Sequence, residues 1–313
     1  MAIGVERHAG VMLWMAALRC RDARRDSWNA AVMAEPFIGS EAVANGDVVK
    51  SALRTRYNKL FRDVYIDPDA ELTPLVRARA GWLWSRRRGI VAGLLASAAH
   101  GAEWVDAAAP LEIIHSNRNP LPGLRIHGDF IDDDEIAPIE GIPVTTPART
   151  ALDLACWYPT DRAVAAIDAL MRATDLKLAD IETLVQRYPA RRGIRRARKA
   201  LGLADAGAQS PKETWLRLLL VRAGLPRPQT QIPVLDDFGG AIAYLDLGWE
   251  DVKVAAEYDG DHHRSDRLQY DWDIKRHEML ERLGWIVIRV VAGDRPAAII
   301  SRVRAAVSRR ASR

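Results

Sequence analysis

The sequence predicts a multi-domain α+β protein, and three observations carry that prediction. At roughly 100–200 residues per domain, 313 residues imply two domains or three. Helical spacing of apolar residues and strand-like alternation both occur, in separate stretches of the chain. A small, polar, Pro-containing run, "ADAGAQSPKE", interrupts the pattern and marks a boundary, with residues 204–212 as the linker.

Composition narrows the class. With 49% hydrophobic and 27% charged residues, a core of normal size forms without staples. The only cysteines, Cys20 and Cys156, are far apart, which argues against a disulfide framework or a cysteine zinc site and fits a reducing cytoplasm. A net charge of +4 permits an acidic partner such as nucleic acid without demanding one. No apolar run is long enough to span a bilayer, so no membrane is expected.

Taken in order, residues 1–32 read as a loose arm or an over-extended start. The apolar patch "AGVMLWMAAL" lacks a cleavage site and is followed by arginines. Residues 33–70 read as two short helices, the first capped by Ser40, followed by a β segment through "VYID". That order suggests a reduced winged helix in which Arg54, Arg56, Lys59 and Arg62 meet phosphate. The competing reading makes them solvated charges on a small capping module.

Residues 71–203 form an α+β middle domain. Thr73 caps and Pro74 opens a helix to about Trp84, and a second helix ends near His100, read as structural. Arg86–Arg88 between them read as an exposed turn. The stretches "PLEIIHS", "LRIHGDF" and "IPVTTPART" alternate as strands, and the acids of "DDDEI" read as solvated loop charges. Helices follow from Ala148 to about Leu203. Arg191, Arg192, Arg195, Arg196, Arg198 and Lys199 read as a solvated basic helix, with phosphate tracking as the alternative.

Residues 213–313 carry the chemistry. Ser210 caps the helix of "SPKETWLRLLLVRAG", and Gly224 stops it. The strands around "GWEDVK" pair as a hairpin with Trp249 opposite Val254, Leu247 opposite Ala256, Leu245 opposite Tyr258 and Asp246 opposite Glu257. Period two then puts Leu245, Leu247, Trp249, Val254, Ala256 and Tyr258 on one apolar face. Asp246, Glu257 and Asp259 gather on the other, with Lys253 further along. Opposed carboxylates repel and require a cation. Mg²⁺ or Mn²⁺ fits, with His263 as base, acid or ligand. A helix closed by Gly284, a strand "WIVIRVV" presenting Arg289, and a last helix from Pro296 follow.

Helix, strand, strand with D…E, helix, strand is the αβββαβ order of the restriction-endonuclease-like core. "VAAEYDGDHHR…DIKRHEMLERLGWIVIRV", with E-Y-D-G-x-x-H and D-x-x-R, resembles the domain of unknown function number 559 over about Glu213 to Val291. That family is grouped with PD-(D/E)XK nucleases and very-short-patch-repair endonucleases. The resemblance implies metal ligation by Asp246, Glu257 and the accessory Glu213, with catalytic roles for Asp259 and His263. Asp259 stands where the superfamily has lysine, so Lys253, Lys275, Arg276 or Arg289 would meet the phosphate instead. Upstream, "GIPVTTPARTALDLA" and "RGIRRARKAL" resemble proteins related to AbiEi-type antitoxins, which carry a winged-helix N-domain.

Two functions follow as expectations. One is a Mg²⁺-dependent endonuclease acting on DNA. The alternative is a DNA-binding regulator or antitoxin with a cognate toxin partner or self-association, whose nuclease-like domain is inactive. A protein-interaction module is the third and plainest reading.

Overall fold

The computed structural model describes residues 35–106, 108–116, 121–236, 238–259 and 267–311. The arm expected over 1–32 and the candidate His263 lie outside them. The fold is mixed α/β, with eleven α-helices and three sheets among the described residues. The chain divides into two units, one through Leu95 with Asp106–Val144, the other Ala96–Val105 with Thr145–Arg313.

The first unit opens with β1 (Phe37–Ile38), α1 (Gly39–Ala44), α2 (Ala52–Thr55), β2 (Asn58–Phe61) and β3 (Val64–Ile66), whose antiparallel strands lie in the order β1-β3-β2. Ala42, Val48 and Leu53 form its core with Phe37 and Tyr65 packed against them. Ser40 is not the helix cap expected of it: α1 begins at Gly39, and its cap residue Ile38 makes no side-chain bond. The Ser40 amide and hydroxyl instead donate to Asp63 at 2.9 and 2.6 Å. Asp63, turning the β2–β3 hairpin at φ 62°, offers a charged acceptor that draws them away from the helix end. Arg86 and Arg87 form the expected turn, at φ 56° and 62°, and pair with Asp63 and Glu41.

Helix α3 (Pro74–Trp84) starts where Thr73 accepts the Val76 N–H at 3.2 Å. Next come β4 (Ile90–Ala92), α4 (Gly93–Ala99), β5 (Leu111–Ile114), β6 (Leu124–His127), β7 (Ile136–Ile139) and β8 (Ile142–Thr145). Their strands form one sheet in the order β6-β5-β4-β8-β7. Helix α3 approaches β5 closely through Gly81, where a Cβ would come within 2.1 Å of Leu111.

In the second unit, α5 (Pro147–Trp157), α6 (Thr160–Ala173), α7 (Leu178–Arg187) and α8 (Ile194–Leu201) pack on one another through Leu152, Ile167, Leu170, Ile181 and Ala197. Then α9 (Pro211–Arg222), β9 (Gln229–Leu235), β10 (Ala241–Trp249), β11 (Val254–Asp259), α10 (Arg267–Arg282), β12 (Ile286–Val291) and α11 (Pro296–Ala311) follow in the expected order of types. The sheet order is β12-β11-β10-β9, with β12 parallel to β11 and the other pairs antiparallel. The hairpin register is the expected one, Leu247 opposite Ala256 and Trp249 opposite Val254. One sheet face packs Leu247, Trp249, Val254 and Ala256 against Leu216 and Leu220 of α9 and Ile299 and Val303 of α11. Leu245 departs from that face and joins Ile232, Val234, Ala255 and Leu280 in a second cluster. The β10–β11 ladder ends at Leu247–Ala256, while Leu245 stays paired with Ile232 of β9, beside Gln231 at φ 50°, where the extended backbone of β9 is interrupted. No helix among the described residues is long and apolar enough to cross a membrane.

Candidate functional site

The predicted acids meet where the β10–β11 ladder ends. Beyond Leu247–Ala256, where the β10–β11 pairing ends, the Tyr258 N–H donates to Asp246 Oδ2 at 3.1 Å. Burial pushes the Asp246 carboxyl up to about 7, helped by the negative charges of Glu213 and Glu257 and opposed by the Tyr258 N–H and Arg276. Glu257 is 9% exposed, a buried carboxylate that requires a partner.

Arg276 is that partner. Its Nη1 and Nη2 donate to the two Glu257 oxygens at 3.0 and 2.5 Å, a bidentate pair, and Nη2 also donates to the Tyr244 carbonyl at 2.8 Å. Helical spacing accounts for the reach: Leu280, one turn beyond Arg276, anchors α10 in the second cluster and sets the guanidinium over the sheet.

Glu213 is equally engaged. It stands at the third position of α9, where Ser210 Oγ accepts its N–H at 3.2 Å and donates to its Oε1 at 3.0 Å. The Gln209 N–H reaches Oε2 at 2.7 Å. Ser210 is thus the helix N-cap, and the Glu213 carboxylate reaches back past it to the preceding N–H. Around the cluster, Trp215 meets Tyr258 edge-on at 6.3 Å and Lys212 lies 5.6 Å from the same ring.

The other candidates fall at different places. Asp259 ends β11 across from Val291. Lys253 sits in the hairpin turn at φ 49° and donates to the Leu283 carbonyl at 2.9 Å, four residues before Glu257. At about 3.3 Å per residue that is roughly 13 Å along the strand. Arg289 lies beside Glu257 in the parallel register and is exposed, as is Lys275 on α10. Both oxygens of Glu257 and both of Glu213 already accept hydrogen bonds, for which a divalent ion would have to compete. Among the described residues, only Asp132, Asp134 and Glu135 bring three ligand atoms within 4.8 Å of one another. The sequence predicts solvated loop charges for these acids, whereas Glu135 is buried, at 1% exposure.

The N-terminal cations take a simple arrangement. Arg54, Arg56, Lys59 and Arg62 are all exposed on α2, β2 and the hairpin turn, and none is in an ion pair among the described residues. On α8, Ile194, Ala197, Ala200 and Leu201 face inward, leaving Arg195, Arg198 and Lys199 exposed beside Arg192.

Sequence reasoning missed two buried ionic centres in the second unit. Arg149 and Arg191 both reach Asp153, at 2.9 and 2.5 Å, with Arg149 over the Tyr188 ring and Arg191 over Trp157. Burial drives the Asp153 carboxyl upward and the two arginines pull it back. The signal was an i, i+4 Arg–Asp pair inside the apolar run "PARTALDLA". The second centre joins α6 to α9. Asp168 accepts from Arg217, Thr214 and the Asp205 N–H at 2.7, 2.8 and 2.7 Å.

Comparison with known proteins finds a family similar to one of these segments. Residues 91–203 match the AbiEi antitoxin C-terminal domain. Two uncharacterized proteins of Mycobacterium tuberculosis, from strains CDC 1551 / Oshkosh and H37Rv, are each 33% identical to the chain over 175 residues. The match covers 56% of this chain and 64% of each relative, so the chain spans somewhat less than two thirds of their length. No solved structure matches it. The middle of the chain, with the "PARTALDLA" ionic centre and the basic α8, is therefore similar to the C-terminal domain of an antitoxin.

Proposed function

We propose that this chain is a DNA-binding regulator of the antitoxin type, acting with a cognate toxin, and that its C-terminal αβββαβ part is a nuclease-like scaffold. The observation that carries the reading is the match of residues 91–203 to an antitoxin domain. The unit preceding that segment supports it. Strand, two short helices and a hairpin, with sheet order β1-β3-β2, is the arrangement expected of a reduced winged helix. Its four exposed cations can meet phosphate without first breaking an ion pair. The endonuclease expectation draws support from the element order and from the charge of Glu257 acting on Asp246. Against it stand the engagement of Glu257 by Arg276 and the aspartate at position 259.

The test is a mobility shift on the chain's own promoter against unrelated DNA of equal length. Specific binding, equal for the wild type and Glu257→Ala, supports the regulator. Folded protein that fails to prefer its promoter, or that nicks DNA with Mg²⁺ only while Glu257 is present, overturns it.

A further inference from the structure

We propose that Arg276 is the resident cation of the carboxylate cluster at the end of the β10–β11 ladder, and that it closes this cluster to divalent metal ions. The proposal is independent of DNA binding. Adjacent acids in a sheet need a positive charge, and the sequence pointed to Mg²⁺ or Mn²⁺ for it. Here a side chain of the same chain supplies that charge and in doing so takes up the oxygens an ion would use.

Both Glu257 oxygens receive guanidinium hydrogens, at 3.0 and 2.5 Å. Glu213 spends its two on Ser210 Oγ and the Gln209 N–H, and Asp246 spends Oδ2 on the Tyr258 N–H. A Mg²⁺-sized ion demands near-octahedral oxygens at about 2.0–2.1 Å. Seating one would mean breaking the bidentate pair and leaving a guanidinium only 14% exposed next to a second positive charge. Arg276 also has a positional role that an ion at the carboxylates would not reproduce. Through Tyr244, Glu257 and its own backbone it joins β10, β11 and α10.

The experiment is a Mn²⁺ titration of the full chain, read by the electron-paramagnetic-resonance signal of free ion. An Asp134→Asn background removes the other acidic group from the readout. Wild type and Glu257→Gln should coincide, with no saturable binding up to about 1 mM. Arg276→Gln should gain a saturable site at least about tenfold tighter, lost again in Arg276→Gln/Glu257→Gln. Saturable binding by the wild type that Glu257→Gln abolishes overturns the proposal, and so does a folded Arg276→Gln that gains nothing. If circular dichroism shows that Arg276→Gln does not fold, the comparison of wild type with Glu257→Gln decides alone.

Discussion

Asp246 sits where burial and two neighbouring carboxylates act against its ionised form, and its pKa rises from 3.8 to about 7. A carboxyl raised in this way binds its proton more tightly when folded. Its contribution to stability is complete below pH 4 or so and is withdrawn as pH climbs through about 7. A shift of that size is worth at most about 4 kcal/mol, and screening of a partly exposed group brings it nearer 2 kcal/mol. Asparagine never ionises and can still accept the Tyr258 N–H. Asp246→Asn should therefore melt several degrees higher than wild type at pH 8 and no higher near pH 4. A constant difference between the two pH values would sink this account. Gly193 is a second position where one atom decides. It holds φ 90° at the start of α8, and a Cβ there would lie 2.5 Å from the Cys156 carbonyl oxygen. Gly193→Ala combines a backbone conformation costly to L residues with a backbone clash, and should lower unfolding free energy by about 2 kcal/mol or more in urea.

At the scale of elements, α6 is fastened to α9 by a buried pair, Asp168 and Arg217, each with a side chain 1% exposed. Removing one member leaves the other charged and uncompensated. Arg217→Met should cost about 3–5 kcal/mol in urea unfolding, and adding Asp168→Asn should restore part of it, since the amide needs no counter-charge. Simple additivity of the two losses would show that the pair is not coupled. This fastening also marks where the sequence was hard to read. Helices that announce their ends locally were legible: Thr73-Pro74, Ser210-Pro211 and the stops at Gly224 and Gly284 all sit where caps and left-handed residues should. The hairpin register was legible too, because period two ties every side chain to one choice. The cation beside Glu257 was not. Arg276 lies nineteen residues away on another element, and opposed carboxylates say only that a positive charge is needed. Whether it is a metal or a guanidinium is settled by how α10 packs on the sheet. Asp168 was hidden for the same reason, since its partner Arg217 comes from a distant helix, and for Asp153 the sequence showed Arg149 but not Arg191, which arrives from the turn before α8.

For the whole molecule, the basic residues fall into sets with different work to do. Arg149, Arg191, Arg217 and Arg276 are buried or half-buried against carboxylates, so they carry structure and are not available to an outside anion. Arg54, Arg56, Lys59 and Arg62 in the first unit are exposed without ion pairs among the described residues, as are Arg192, Arg195, Arg198 and Lys199 in the second. Only such free cations release counterions when they meet phosphate, so the salt dependence of binding counts them. If the strand–helix–helix–hairpin unit holds the operator, Arg54→Gln/Arg62→Gln should weaken binding to promoter and unrelated DNA alike. The slope of log affinity against log salt should become shallower by about one for each cation removed. Glu257→Gln, which removes no free cation, should leave the slope where it was. Fluorescence anisotropy across a series of KCl concentrations measures all three. A slope that answers to Arg195→Gln/Arg198→Gln, and is indifferent to the N-terminal pair, would move the phosphate footprint onto α8 and make the antitoxin-like domain itself the DNA-contacting surface.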